Sequence, residues 1–172
     1  MSKVESINKL ERDLFRKEEA AANADPKAAR KKAMDYLARR EYGQRELEEK
    51  LVAAGFEATT AIDAVDRLTG EGLQDDRRFA ESFVQSRINQ GKGPVRIRQE
   101  LADRKLSTSL IDATLEAADA DWFELARDIR RKKFGGELPG EFAQKARQMR
   151  FLKYRGFETA HIQAAVAPHG DD

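Results

Sequence analysis

The 172-residue chain is 37% charged, yet its 32 basic and 31 acidic side chains leave a net charge of only +1; an excess over the roughly 25% of ordinary globular proteins favours thin cores and much surface per residue. It has no cysteine, which excludes disulfides, thiolate catalysis and cysteine-based zinc sites and fits a reducing cytosol. No run approaches the ~20 apolar residues of a membrane helix, and the opening MSKVESINKLERD lacks the apolar core of a secretory signal, so a cytoplasmic protein away from membranes is expected.

Residues 1–25 are polar and alanine-rich, with Leu10 and Leu14 marking a short amphipathic helix. A mobile extension that frays or docks loosely is expected there. Asp25-Pro26 then starts a helix, with Asp25 as N-cap and Pro26 in the first helical position.

Beyond this point one unit recurs. RELEEKLVAAGFEATTAIDAV at 45–65, VRIRQELADRKLSTSLIDATL at 95–115 and ARQMRFLKYRGFETAHIQAAV at 146–166 align on Phe56, Leu106 and Phe157, a period of about 50 residues that marks stacked supersecondary units. Leu51, Leu101 and Leu152 precede the anchors; Ala61, Ile111 and Ile162, then Val65, Leu115 and Val166, follow them. The apolar spacing is helical, as in Leu47 and Leu51, Ile97 and Leu101, and the stripe Ile62, Val65 and Leu68. Gly55 and Gly156 stand where the chain leaves a helix through positive φ. Lys105 holds that place in the second copy, so its turn must differ or be strained. Thr59 or Thr60, Thr108 and Thr159 are the N-caps expected to restart the chain.

Each unit also has a preceding helix, at 27–40, 77–89 and about 122–134, and the third carries a longer connection, GGELPGE, at 135–141. No window alternates with the period of a strand. The expected fold is all-α: an elongated tandem array of three three-helix repeats at 26–72, 73–120 and 121–168, after an N-terminal helical extension at 1–25. Small modules of this kind share apolar surface with their neighbours.

No catalytic or metal constellation stands out, so an enzyme, a metal and a cofactor are not expected. His161, beside Ile162, reads as a surface or half-buried helix residue, and His169 lies in the tail PHGDD. Asp75-Asp76, Asp63 and Asp66 fit a solvated face or a helix N-terminus better than a metal pair. Gly91-Lys92-Gly93-Pro94 lacks the strand and the Lys-Ser/Thr ending of a phosphate loop and reads as a turn, with Pro94 opening a helix.

Charge is segregated locally. The basic runs comprise Arg39, Arg40 and Arg45; Arg87, Lys92, Arg96, Arg98, Arg104 and Lys105; Arg127, Arg130, Arg131, Lys132 and Lys133; and the acid-free stretch with Lys145, Arg147, Arg150, Lys153 and Arg155. Acids gather at 57–76 and 112–124. Two readings stay open. The charges pair with one another on solvated faces, or the recurring basic runs form a stripe that tracks a polyanion while the acids face a basic protein surface. Arg147, Arg150 and Lys153, three residues apart, fall near one helix face. No aromatic stacking platform is evident on it, so base sequence should matter little.

YLARREYGQRELEEKLVAAGF at 36–56 and LQDDRRFAESFVQSRINQGKGPVRIRQEL at 73–101 resemble the RecX family, with Asp76, Phe79, Ala80, Ser86-Arg87, Gly91, Gly93, Arg96-Ile97 and Glu100-Leu101 fitting its pattern; RFLKYRGF at 150–157 extends the resemblance to the third copy. RecX proteins regulate RecA, the bacterial strand-exchange ATPase. The resemblance implies binding to RecA, in the groove or at the end of its filament on single-stranded DNA. It also implies restraint of filament growth and lowered ATPase, strand-exchange and coprotease activities. Weak, sequence-independent contact with single-stranded DNA and a monomeric protein complete that expectation. The alternatives are an independent helical DNA-binding protein and a protein–protein adaptor that needs no basic stripe.

Overall fold

A computed structural model describes residues 3–168. Among them the chain forms ten helices and no strand: α1 Lys3–Asn23, α2 Pro26–Leu37, α3 Gln44–Ala53, α4 Ala58–Gly70, α5 Asp76–Asn89, α6 Pro94–Asp103, α7 Thr108–Ala117, α8 Trp122–Phe134, α9 Phe142–Arg155 and α10 Thr159–Val166. The helices after α1 group as three triplets, the all-α tandem repeat that the periodicity implies. They pack as two compact units, one ending at Asp76 and the other beginning at Arg77.

The N-terminal extension is helical as expected, but longer than the short helix read from Leu10 and Leu14. It is a single helix of 21 residues, and Val4, Ile7, Leu10, Leu14 and Phe15 all lie exposed along it. Its end is tied down: the Asn23 carbonyl accepts the Glu57 N–H at 3.0 Å, in the turn between α3 and α4. The next helix starts as read, with the Asp25 carboxylate accepting the Lys27 N–H at 2.9 Å and Pro26 in the first helical position.

Each triplet closes its core with the same residues. Leu51, Leu101 and Leu152 are fully buried, and Leu106 and Phe157 are buried beside them, whereas Phe56 is half-buried. The stripe on α4 is Ala61, Ala64, Val65 and Leu68; Ile62 faces solvent, because a helix of period 3.6 turns it off the line through Ala61 and Val65.

The turn after the middle helix is built identically three times. The N–H of Phe56, Leu106 and Phe157 reaches back to the carbonyl of Leu51, Leu101 and Leu152 at 3.1, 3.4 and 3.2 Å, the six-to-one bond that satisfies an orphan helix carbonyl. Gly55 and Gly156 make the turn at φ 103° and 94°, and Lys105 makes the same turn at φ 63°. The second turn is therefore strained, not different. The left-handed conformation costs a residue with a Cβ about 1–2 kcal/mol. Lys105→Gly is expected to raise stability by about 0.5–1 kcal/mol once glycine's greater unfolded-state freedom is subtracted. A thermal melt checks this, and a lower midpoint would contradict the turn assignment.

The threonine caps are a correction. The caps are Glu57, Ser107 and Glu158, and the threonines stand just inside their helices. Ser107 Oγ accepts the Leu110 N–H at 3.3 Å, and the Glu158 N–H donates to His161 Nδ1 at 3.2 Å. His161 is buried rather than on the surface: Phe123 and Phe157 meet its ring edge-on with centroids at 4.8 and 6.5 Å. His169 lies outside the described residues. Asp76, the first residue of α5, accepts the Gln44 N–H of α3 at 2.7 Å and the Gln74 amide at 3.0 Å, so this acid is a helix-end ligand, as the charge pattern implied.

Candidate nucleic-acid interface

The second unit contains two triplets, α5–α7 and α8–α10, joined head to tail. A helix N-terminus lacks acceptors and a helix C-terminus lacks donors; here each supplies the other. The Gly93 N–H donates to the Arg155 carbonyl and the Val95 N–H to the Gly156 carbonyl, both at 2.9 Å, so the start of α6 rests on the end of α9. Side chains repeat the exchange: Arg96 Nη1 donates to the Tyr154 carbonyl at 3.2 Å, and Arg155 Nη1 to the Gln90 carbonyl at 3.1 Å. The contact is close enough that only glycine fits. A Cβ on Gly93 would stand 2.4 Å from the Gly156 carbonyl, and one on Gly91 would stand 2.2 Å from Ile129. The GKGP segment is thus a joint between repeats.

Beside the joint sits the principal charge cluster. Arg87, Lys92 and Arg96 converge on Glu100, at 2.5, 3.0 and 3.2 Å. Burial pushes the Glu100 carboxyl up, but the hydrogen bonds from these three cations outweigh it and hold the group down at about 2. Lys92 and Arg96, read from sequence as stripe residues, are first of all partners of a half-buried acid.

Many other expected stripe residues are also paired. Arg40 bonds Glu46 at 2.7 Å and lies over the Tyr42 ring at 3.6 Å; Arg45 bonds buried Glu48 at 2.9 Å; Arg98 bonds Asp112. Arg127 and Arg131 share Glu124 at 3.3 and 2.8 Å, and Arg131 also meets Asp128 at 3.2 Å. Arg39 is exposed. Arg130 is turned inward and only 3% exposed. Its guanidinium donates to the Glu137 and Gly136 carbonyls and to Gln148, pinning the 135–141 connection. Burial, with Arg131 nearby, lowers its pKa. A buried guanidinium cannot meet a phosphate backbone, so Arg130 leaves the candidate surface. The acidic runs are partly consumed too: Glu71 bonds Arg30 at 2.7 Å and Asp66 accepts from Gln44.

What remains outward is the end of α8 and the open face of α9. Lys132, Lys133, Lys145, Arg147, Arg150 and Lys153 are exposed and make no ion pair among the described residues. Phe134 and Phe151 pack edge-on at 5.3 Å beneath this patch, with Arg147 over the first ring and Lys133 and Arg155 over the second. Arg150 and Lys153 also rim a groove of about 790 Å³ whose floor includes Val95, Met149 and Ile162. Tyr154, which the sequence reading passed over, stands on the same face, 75% exposed. The helical register was the available signal: Tyr154 follows Arg150 by four residues and Arg147 by seven. No three acids or histidines among the described residues are placed to hold a metal ion, and no helix is long and apolar enough to cross a membrane.

Three family models match the chain: the first three-helix domain of RecX over residues 29–68, the second over 75–115 and the third over 119–166. The chain belongs to the RecX family. The third RecX domain, faint in sequence, is matched across the 135–141 connection as well. The regulatory protein RecX of Halorhodospira halophila is 42% identical over 151 residues, covering 88% of this chain and 94% of that one. RecX of Pseudomonas fluorescens SBW25 is 47% identical over 140 residues, covering 81% and 90%. A crystal structure of regulatory protein RecX superposes with a TM-score of 0.68 at 26% identity, covering 84% of this chain and 73% of that one. RecX from Lactobacillus salivarius, at 18% identity and a TM-score of 0.67, shares the fold.

Proposed function

We propose that this RecX protein binds RecA and its filament on single-stranded DNA and inhibits filament growth, ATPase, strand exchange and coprotease activity. It acts by binding, without catalysis or cofactor, as a cytoplasmic monomer whose working modules are residues 26–72, 73–120 and 121–168. RecA is the main contact, in the filament groove or at its end, and DNA contributes. The observation that carries the nucleic-acid part is the patch of cations on α8 and α9: Lys132, Lys133, Lys145, Arg147, Arg150 and Lys153 are exposed and pair with no acid among the described residues. The outward Arg39 and the Glu100-linked Lys92 and Arg96 add to the positive field without leaving their partners.

Each phosphate engaged on a single strand releases counterions and contributes a slope of about −0.7 in log affinity against log salt. Replacing Arg147, Arg150 and Lys153 with Glu is expected to weaken binding to single-stranded DNA and to preformed RecA filaments at least tenfold. The salt slope should fall by about 2, the share of three phosphate contacts. Helical content should stay intact, since all three side chains point outward. Titrations at two salt concentrations check this, and unchanged affinity and slope with both ligands would remove the patch from the interface. An independent DNA-binding protein is the second reading; it predicts loss on bare DNA with filaments adding nothing.

A further inference from the structure

We propose that Tyr154 is a base-stacking subsite for single-stranded nucleic acid, set between the phosphate-binding cations of α9. The inference rests on the reading that this face of α9 meets nucleic acid.

Tyrosine rings normally bury most of their surface, yet Tyr154 is 75% exposed. The Arg96 guanidinium lies 5.3 Å from the ring centroid and donates to the Tyr154 carbonyl at 3.2 Å. Arg96 is itself anchored by Glu100 at 3.2 Å. The backbone that carries the ring is therefore anchored at the joint between two repeats, while the ring itself projects outward. On the same helix face stand Arg150 and Arg147, one and two turns earlier, with Lys153 adjacent; all three are exposed and without an ion pair among the described residues.

An aromatic ring among unpaired cations matches the two parts of an unpaired strand, a π-face and a phosphate on each nucleotide. In a duplex the faces are already stacked on their neighbours, so only the phosphates would be available. The subsite accordingly selects single strands and tolerates any base, because every base offers a π-face.

The test compares wild type, Tyr154→Ala, Tyr154→Phe and Arg150→Glu. Each is titrated against a fluorescent oligothymidylate, an abasic oligonucleotide of equal length and preformed RecA filaments, with circular dichroism as a fold check. Wild type is expected to prefer the oligothymidylate over the abasic strand by about tenfold, the size of one stacked base. Tyr154→Ala should erase that preference while binding the abasic strand as before, Tyr154→Phe should retain it, and Arg150→Glu should weaken both strands. If Tyr154→Ala keeps the preference while Arg150→Glu weakens both, the subsite is overturned and the basic face stands. If neither variant changes DNA binding, both fall. If Tyr154→Ala fails only on filaments, the ring is a protein contact and the subsite is likewise overturned.

Discussion

Gly93→Ala is expected to cost about 3–5 kcal/mol and to lower the thermal midpoint by roughly 10 °C or more. The residue has an ordinary φ of −83°, so an alanine there carries no backbone strain. Its cost lies in space alone. The new methyl would stand 2.4 Å from the Gly156 carbonyl and 2.5 Å from the Phe157 nitrogen. Those are backbone atoms and cannot swing aside as a side chain would. The ends of α6 and α9 must separate, which stretches the two 2.9 Å bonds from Gly93 and Val95 to the Arg155 and Gly156 carbonyls. Overpacking costs about 1–3 kcal/mol, and each buried group left without a partner about 1–3 more. Gly140→Ala is the control: nothing lies within 4 Å of its would-be Cβ, and a change within about 0.5 kcal/mol is expected. Equal melts for the two variants would show that the joint does not hold the repeats together.

Glu100→Gln is expected to cost up to about 3 kcal/mol at pH 7. The Glu100 carboxyl is held at about 2, against an ordinary value of 4.5, and each unit corresponds to 1.36 kcal/mol, so about 3 kcal/mol is an upper figure. The folded value lies below the unfolded one, so the stabilisation is complete above about pH 4.5 and drains away as pH falls toward 2. The gap between wild type and Glu100→Gln should therefore be full at pH 7 and narrow between pH 5 and pH 3. Denaturant melts at several pH values read it directly. A gap that stays the same at pH 3 would mean that the three cations do not act through the carboxylate.

The fold was largely legible because the repeat is written in apolar residues. Leu51, Leu101 and Leu152 fall at one register, and burial of a helix stripe follows from periodicity alone. The length of α1 was not legible, since its apolar residues Val4, Ile7, Leu10, Leu14 and Phe15 are all exposed and a core signal was missing. The caps were misplaced because Ser, Thr and Glu cluster at each restart, and choosing among them needs backbone geometry. Local spacing also found Gly55 and Gly156, yet it could not say that Lys105 would accept φ 63° rather than reshape the turn.

The candidate site was legible only in part. Net charge along the chain locates cations, but pairing across helices decides which of them remain available. Arg98 and Asp112 are far apart in sequence and meet only once α6 and α7 pack. Arg130 looked like its neighbours Arg131 and Lys132 until the 135–141 connection closed over it. The α9 patch kept its character because the Lys145–Arg155 segment contains no acid and none among the described residues pairs with Lys145, Arg147, Arg150 or Lys153. Tyr154 was overlooked because its exposure, not its identity, is what distinguishes it.

The most direct test of the central claim is ATP hydrolysis by RecA on single-stranded DNA, measured while this protein is titrated in at levels far below those needed to coat the DNA. The purified protein alone should hydrolyse no ATP, and added substoichiometrically it should depress RecA turnover, with the Arg147, Arg150 and Lys153 to Glu variant depressing it less. RecA turnover that stays at its starting rate until the DNA itself is saturated would contradict the account and leave a DNA-binding protein with no regulatory contact to RecA.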